Sequence, residues 1–235
     1  MKKNNCVNCE ECGFADLCST YLLRQKDPLF ISNLETKKKI TRGGYIYRRG
    51  EKIHALYALR SGVAKIFDAR GQLIGIVLPG QVMGVEELQI GYCQQDIQAA
   101  TEIEVCVLKS DRFYEMSQLM PGFTDYIVRI LSRSAQEKQA FISVLTKSDA
   151  LKKVQFYLQF LSRTYKSYGF EYHNFELPIN KKELAQVLGI SMSTLSRVLN
   201  RLTEQGVISI QNKKEIALTL QDKNQHLYYG VSVTP

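Results

Sequence analysis

The chain of 235 residues is 45% hydrophobic and 23% charged, with 31 Lys and Arg against 23 Asp and Glu. It has no 18-residue apolar run, so a membrane-spanning helix is excluded, and its composition is that of a soluble globular protein of one large or two small domains. The net charge of +8 points to an anionic partner. Nothing in the opening "MKKNN" resembles a secretory segment, so a cytoplasmic location is expected.

The first informative stretch is "CVNCEECGFADLC", residues 6–18, which holds four of the chain's six cysteines. In a reducing compartment such a group reads as a metal site rather than a disulfide framework, and its thiolates could serve zinc or an iron-sulfur cluster. Glycines then recur at positions 43, 44, 50, 62, 71, 75, 80, 84 and 91, separating short runs such as "YIYRR", "ALYALRS", "VAKIF" and "LIGIVLP". That punctuation predicts an antiparallel β-roll or sandwich.

The texture changes at Pro121. A long helix follows, with apolar Ile127, Ile130, Phe141 and Val144, and the same 3-4 alternation places Ser134 and Glu137 in the middle. The stripe fits either a surface helix packed on its own domain or a weak coiled-coil dimer. Residues 151–235 carry eleven Lys or Arg against six Asp or Glu, so an anionic partner is expected there.

The stretch "KKELAQVLGISMSTLSRVLNRLTEQGVI", residues 181–208, reads as a helix-turn-helix. Leu184, Val187 and Leu188 form one apolar face, Gly189 the turn, and Ser191 the cap of a second helix lined by Leu195, Val198, Leu199 and Leu202. Ser193, Thr194, Ser196, Arg197 and Asn200 are left outward, hydroxyls and a guanidinium fork suited to a major groove. "GVISIQNKKEIALTL" predicts a two-stranded wing with Lys213 and Lys214 at its turn, placed to neutralise phosphates.

A glycine-punctuated roll, then a long helix, then a winged helix-turn-helix with "STLSRVLNRL" together resemble the Crp-Fnr family of bacterial transcription regulators, from about residue 20 onward. The resemblance implies an α+β protein: a cysteine-rich segment at 1–20, a jelly-roll sensor at 21–118, a dimerisation helix at 119–148 and a winged helix-turn-helix at 149–235. Its Fnr branch binds a 4Fe-4S cluster through a C-x2-C-x5-C run plus one strand cysteine. Cys9, Cys12 and Cys18 reproduce the run, and Cys106 stands where the fourth ligand is expected. Cys6 is a possible substitute, and Cys93 a structural or exposed thiol.

The implied function is oxygen-responsive regulation by a homodimer on double-stranded DNA, with RNA polymerase as a further partner and no catalytic residues. With the cluster lost, residues 6–18 are released, the dimer dissociates and DNA affinity falls. Ile127, Ile130, Ser134, Glu137, Phe141 and Val144 are the expected dimer residues. Two departures stand out: Lys138 lies near a family acidic position, and Ser193 replaces a usual Glu. The inverted repeat is therefore expected to be related to, rather than identical with, TTGAT half-sites.

A cyclic nucleotide is not expected, because no Lys or Arg occurs from Gly71 to Leu108 to neutralise a buried phosphate. Haem is also disfavoured, with only His54, His173 and His226 present. A zinc-binding or cluster-independent regulator of the same fold is the second reading; an electron-transfer protein is the third.

Overall fold

The computed structural model describes residues 6–8, 12–14, 34–119, 122–211 and 215–218. The amino-terminal half is a roll of two four-stranded antiparallel sheets. One runs β1 (Leu34–Ile40), β8 (Ile103–Lys109), β3 (Ala55–Ser61), β6 (Val82–Met83). The other runs β2 (Tyr45–Tyr47), β7 (Asp96–Ala99), β4 (Ala64–Phe67), β5 (Leu73–Val77). Side chains alternate across a strand, so each sheet presents two faces. Ile103, Val105 and Val107 of β8 join Ala55 and Leu59 of β3 between the sheets. Cys106 and Leu108 of β8, with Leu56 and Ala58 of β3, point to the opposite face.

That second face is buried as well. Helix α1 (Phe113–Leu119) and the first turns of helix α2 (Phe123–Leu145) cover it through Met116, Phe123, Tyr126 and Ile130. Val7, Cys12 and Phe14 of the cysteine segment pack into the same cluster. A strand apolar on both faces makes a continuous hydrophobic run, and "IEVCVLK" comes close to one.

Helix α3 (Ala150–Ser167) follows a break capped by the Asp149 carboxylate, which accepts from the Leu151 N–H. It carries strand β9 (Asn174–Glu176), helix α4 (Lys181–Leu188), helix α5 (Met192–Glu204) and strands β10 (Ile208–Gln211) and β11 (Glu215–Leu218). The wing is a three-stranded antiparallel sheet, β10-β11-β9. Helix α3 and strand β9 add to the two helices and two strands legible in the sequence.

The helix-turn-helix unit does not stand apart from the roll. Leu73 and Leu78 share its core with Val154, Leu158, Leu184 and Leu195, and Lys65 of β4 pairs with Glu183 of α4. The Glu183 carboxylate also accepts from the Asn180 N–H, completing a capping box at the start of α4.

The long helix lies where expected, but its expected seam turns inward. Ile130 and Val144 are buried in the chain's own core, Ile127 packs against the roll cluster, and Phe141 packs edge-on against Tyr157 and tilted against Phe160. Ser134 donates to Glu86 at 2.5 Å, and Glu137 accepts from Gln81 and Tyr168. The outward stripe is displaced by one residue: Val128, Leu131, Ala135, Lys138 and Ile142 are all exposed. The physical reason is competition. The inward stripe is claimed by the chain's own fold because its apolar residues meet the roll and α3 while its polar ones, Ser134 and Glu137, find hydrogen-bond partners there, and the other stripe faces away.

Candidate functional sites: a cysteine pair and a nucleic-acid interface

Two of the four expected cluster ligands are described. Cys12 and Cys106, each 6% exposed, belong to one apolar cluster with Val7, Phe14, Leu56 and Ala58. Strand alternation puts Cys106 there, opposite Ala58 in the β3-β8 register. Cys12 is brought to it by the segment's own anchors. Val7 N–H donates to the Arg60 carbonyl at 2.8 Å, Gly13 N–H donates to the Gly80 carbonyl at 2.9 Å, and Phe14 is fully buried.

Cys9 and Cys18 lie outside the described residues. Among the described residues no three His, Cys, Asp or Glu side chains converge as a metal site. The donor set nonetheless suits soft-metal chemistry: thiols from a short segment and from a strand, enclosed by apolar side chains. Cys6 sits differently. It bridges to Ser61, is half-buried, and is absent from the cluster that Cys12 and Cys106 share.

Cys93 belongs to the core between the two sheets and is 1% exposed, which makes it structural. Burial first, then the charges of Glu87 and Glu51, push its thiol up to about 11. Neighbouring Glu87 is itself buried, and desolvation together with the charge of Glu86 raises its carboxyl above the usual range. Glu86 moves the other way: burial opposes its ionisation, but hydrogen bonds from Lys138 and Ser134 outweigh it and hold the carboxyl low.

At the other end of the molecule α4 and α5 meet at Gly189, whose left-handed φ of +62° makes the tight turn that any side chain would strain. Ser191 caps α5, its hydroxyl accepting from the Thr194 N–H at 3.1 Å. Leu195, Val198, Leu199 and Leu202 are buried, as the pattern required. Ser193, Arg197 and Asn200 are exposed, with Thr194 and Ser196 half-covered. The Arg197 guanidinium reaches the Ser193 carbonyl and the Thr194 hydroxyl only at 3.4 Å, so those contacts are weak.

Met192 and Arg201, also exposed on α5, escaped the sequence reading. Arg201 could have been found by its spacing, one helical turn beyond Arg197. Lys213 and Lys214 lie outside the described residues.

Comparison with known proteins agrees with this architecture. A family model described as a Crp-like helix-turn-helix domain matches residues 153–225, and one described as a cyclic nucleotide-binding domain matches residues 37–119. The chain is 28% identical over 212 residues to the anaerobic regulatory protein of Pasteurella multocida, covering 88% of this chain and 78% of that one. It is 26% identical over 212 residues to the fumarate and nitrate reduction regulatory protein of Escherichia coli, covering 88% and 85%.

Among solved structures, FixK2 from Bradyrhizobium japonicum superposes with a TM-score of 0.68 at 18% identity, covering 84% of this chain and 98% of that chain. No described helix is long and apolar enough to cross a membrane. A roll, a long helix and a winged helix-turn-helix in this order, matched at both ends, mean that the chain belongs to the Crp-Fnr family of DNA-binding transcription regulators, on its Fnr-like side.

Proposed function

We propose that this protein is a cytoplasmic, non-catalytic transcription regulator that responds to oxygen through a 4Fe-4S cluster held by Cys9, Cys12, Cys18 and Cys106. The observation that carries the reading is the burial of Cys12 and Cys106 in one apolar cluster, although they come from opposite ends of the sensor. Bound there, the cluster supplies an oxygen-labile cross-link between the segment and β8.

The rest is the work of the chain's own residues. Val7 and Phe14 seat the segment by burial, and the backbone bonds to Arg60 and Gly80 fix its path. The cross-link would add to those contacts, and its loss would leave the described part of the segment held by them without it. Departure of the segment uncovers the face of the roll on which the start of α2 is packed. A change there reaches the dimer.

The dimer itself is proposed to form along the exposed stripe of Val128, Leu131, Ala135, Lys138 and Ile142 rather than along the inward one. Its occupant is a second copy of this chain, because the stripe repeats at 3-4-3-4 spacing, the pattern of a two-stranded seam. A lysine in the middle keeps such a seam weak, which suits a reversible switch; its own Glu86, at 2.6 Å, offsets part of that charge. Two copies present two α5 helices to an inverted repeat related to TTGAT. Ser193 leaves one base pair of each half-site less tightly read than a carboxylate would. RNA polymerase is the partner a DNA-bound regulator of this kind would meet.

The test is a ligand scan on protein purified without oxygen. Cys106→Ser is expected to lose bound iron and the oxygen dependence of DNA binding, because a protonated hydroxyl is a poor iron ligand. Cys6→Ser is expected to keep both. Retention of iron by Cys106→Ser together with its loss in Cys6→Ser would overturn the ligand assignment.

A further inference from the structure

We propose that Tyr168 and Glu137 are positioning residues that carry the seating of the cysteine segment to the DNA-binding domain. The proposal rests on the segment being the part that moves, as in the function proposed above, but its route is fixed by contacts of this chain alone.

The segment touches the turn between β5 and β6. Gly13 N–H donates to the Gly80 carbonyl at 2.9 Å, while the Tyr126 hydroxyl of α2 donates to the Gly13 carbonyl at 3.4 Å. On its other side the same turn lies flat against Tyr168. Gly80 has φ +99°, and a Cβ placed there would come within 2.1 Å of the Tyr168 ring, so no side chain fits between turn and ring. Any shift of the turn must therefore be felt by the ring.

Tyr168 ends α3, the helix that begins the DNA-binding unit, and it is 2% exposed. Its hydroxyl donates to Glu137 Oε1 at 2.8 Å. Gln81, one residue beyond Gly80, donates its Nε2 to Glu137 Oε2 at 2.8 Å, and its Oε1 accepts from the Leu78 N–H. Arg133 lies over the Tyr168 ring at 4.1 Å and approaches the same carboxylate at 3.5 Å. Burial, and then the nearby carboxylate, raise the phenol well above its ordinary range, so it stays protonated and donating.

One carboxylate thus ties the sensor turn, the long helix and the DNA-binding domain together next to the segment's docking point. A buried network of this kind has a defined geometry only when every partner is in place. Spatial adjacency alone would be a weak argument for coupling, so the test measures coupling directly.

The experiment is a double-mutant cycle on the full chain purified without oxygen, read as affinity for an inverted-repeat DNA, with iron content and absorbance taken on the same samples. Phe14→Ala, which removes the segment's buried anchor, is expected to weaken DNA binding at least about fivefold in the native background. In a Tyr168→Phe background, which keeps the ring and loses only the hydroxyl, the same change is expected to cost less than about twofold.

Glu137→Gln leaves one acceptor oxygen for two donors, Gln81 Nε2 and the Tyr168 hydroxyl, so one of the two bonds is lost or reversed, and it is expected to behave like Tyr168→Phe. The exchanged pair Gln81→Glu with Glu137→Gln restores a donor opposite an acceptor and is expected to bring the response back. A merely structural role would give no such rescue. An equal cost of Phe14→Ala in both backgrounds, or no recovery in the exchanged pair, would overturn the proposal. Iron-free native protein would instead sink the cluster reading and leave the cycle as a direct measure of this coupling.

Discussion

Arg197 and Cys93 show how much a single residue's surroundings decide. Arg197 is exposed on α5 and makes only weak contacts with its own helix, so its fork can be redirected to a guanine without breaking anything. Replacing it with Ala is expected to cost about 1–3 kcal/mol on the matched site and little on a site with that guanine changed. Titration of both DNAs at several salt concentrations checks this; an equal loss on both would mean that Arg197 holds backbone.

Cys93 is the opposite case. Its thiol is raised from the model-peptide value of 9.0 to about 11, so about one molecule in a thousand carries the thiolate at pH 8. The native protein should therefore leave Cys93 unmodified by an alkylating reagent until it unfolds, as peptide mapping by mass would show. The folded state holds this proton longer than the unfolded chain. Its contribution to stability is accordingly full below about pH 9 and lost as pH rises toward 11. The sequence left Cys93 open between a structural and an exposed thiol, because one cysteine beside a glycine turn does not say which way it points. Cys106 stood out as a candidate ligand only through its partnership with the run at 6–18, since the near-continuous apolar run "IEVCVLK" signals a strand covered on both faces without saying what covers them.

For whole elements, periodicity was a good guide to existence and a poor one to orientation. Gly43 through Gly91 marked out the strands of the roll because each turn needs its own break, and Gly189 with Ser191 marked the helix-turn-helix for the same kind of local reason. Helix α2 was visible too. Which of its two stripes faces outward was not, because that depends on Tyr168, Gln81 and the roll surface, residues distant in sequence. Strand β9 escaped because three residues, "NFE", carry no pattern.

The displaced stripe changes what mutations of α2 should do. Leu131→Glu and Ile142→Glu are expected to hold the loaded protein at monomer mass, with folding stability little altered because both are exposed. Ile130→Glu buries a charge and is expected to lower the melting temperature sharply whatever the state of assembly. Equilibrium sedimentation beside thermal melts separates the two. Lys138→Leu should tighten the dimer by about tenfold, some 1.4 kcal/mol, by replacing a charge at the centre of the seam with an apolar side chain. A dimer insensitive to Leu131 and broken by Phe141 would return the seam to the inward stripe.

Across the whole molecule, the cysteine segment, the long helix and the DNA-binding unit converge on one face of one sheet. Cys12, Cys106, Ile130 and Tyr168 are members of a single cluster. The wing and recognition helix in turn rest on the roll through Leu73, Leu78 and the Lys65–Glu183 pair. A change at the segment therefore has short physical routes both to the dimer face and to the DNA-reading helix. The most direct measurement of the central claim follows one sample, purified without oxygen, through exposure to air while its visible absorption, bound iron, molecular mass and affinity for the inverted repeat are recorded together. The account predicts a brown protein with iron and sulfide in the ratio of a 4Fe-4S cluster, whose bleaching runs in step with loss of dimer and of DNA affinity. A colourless protein, or one that bleaches while mass and DNA affinity stay unchanged, would contradict it.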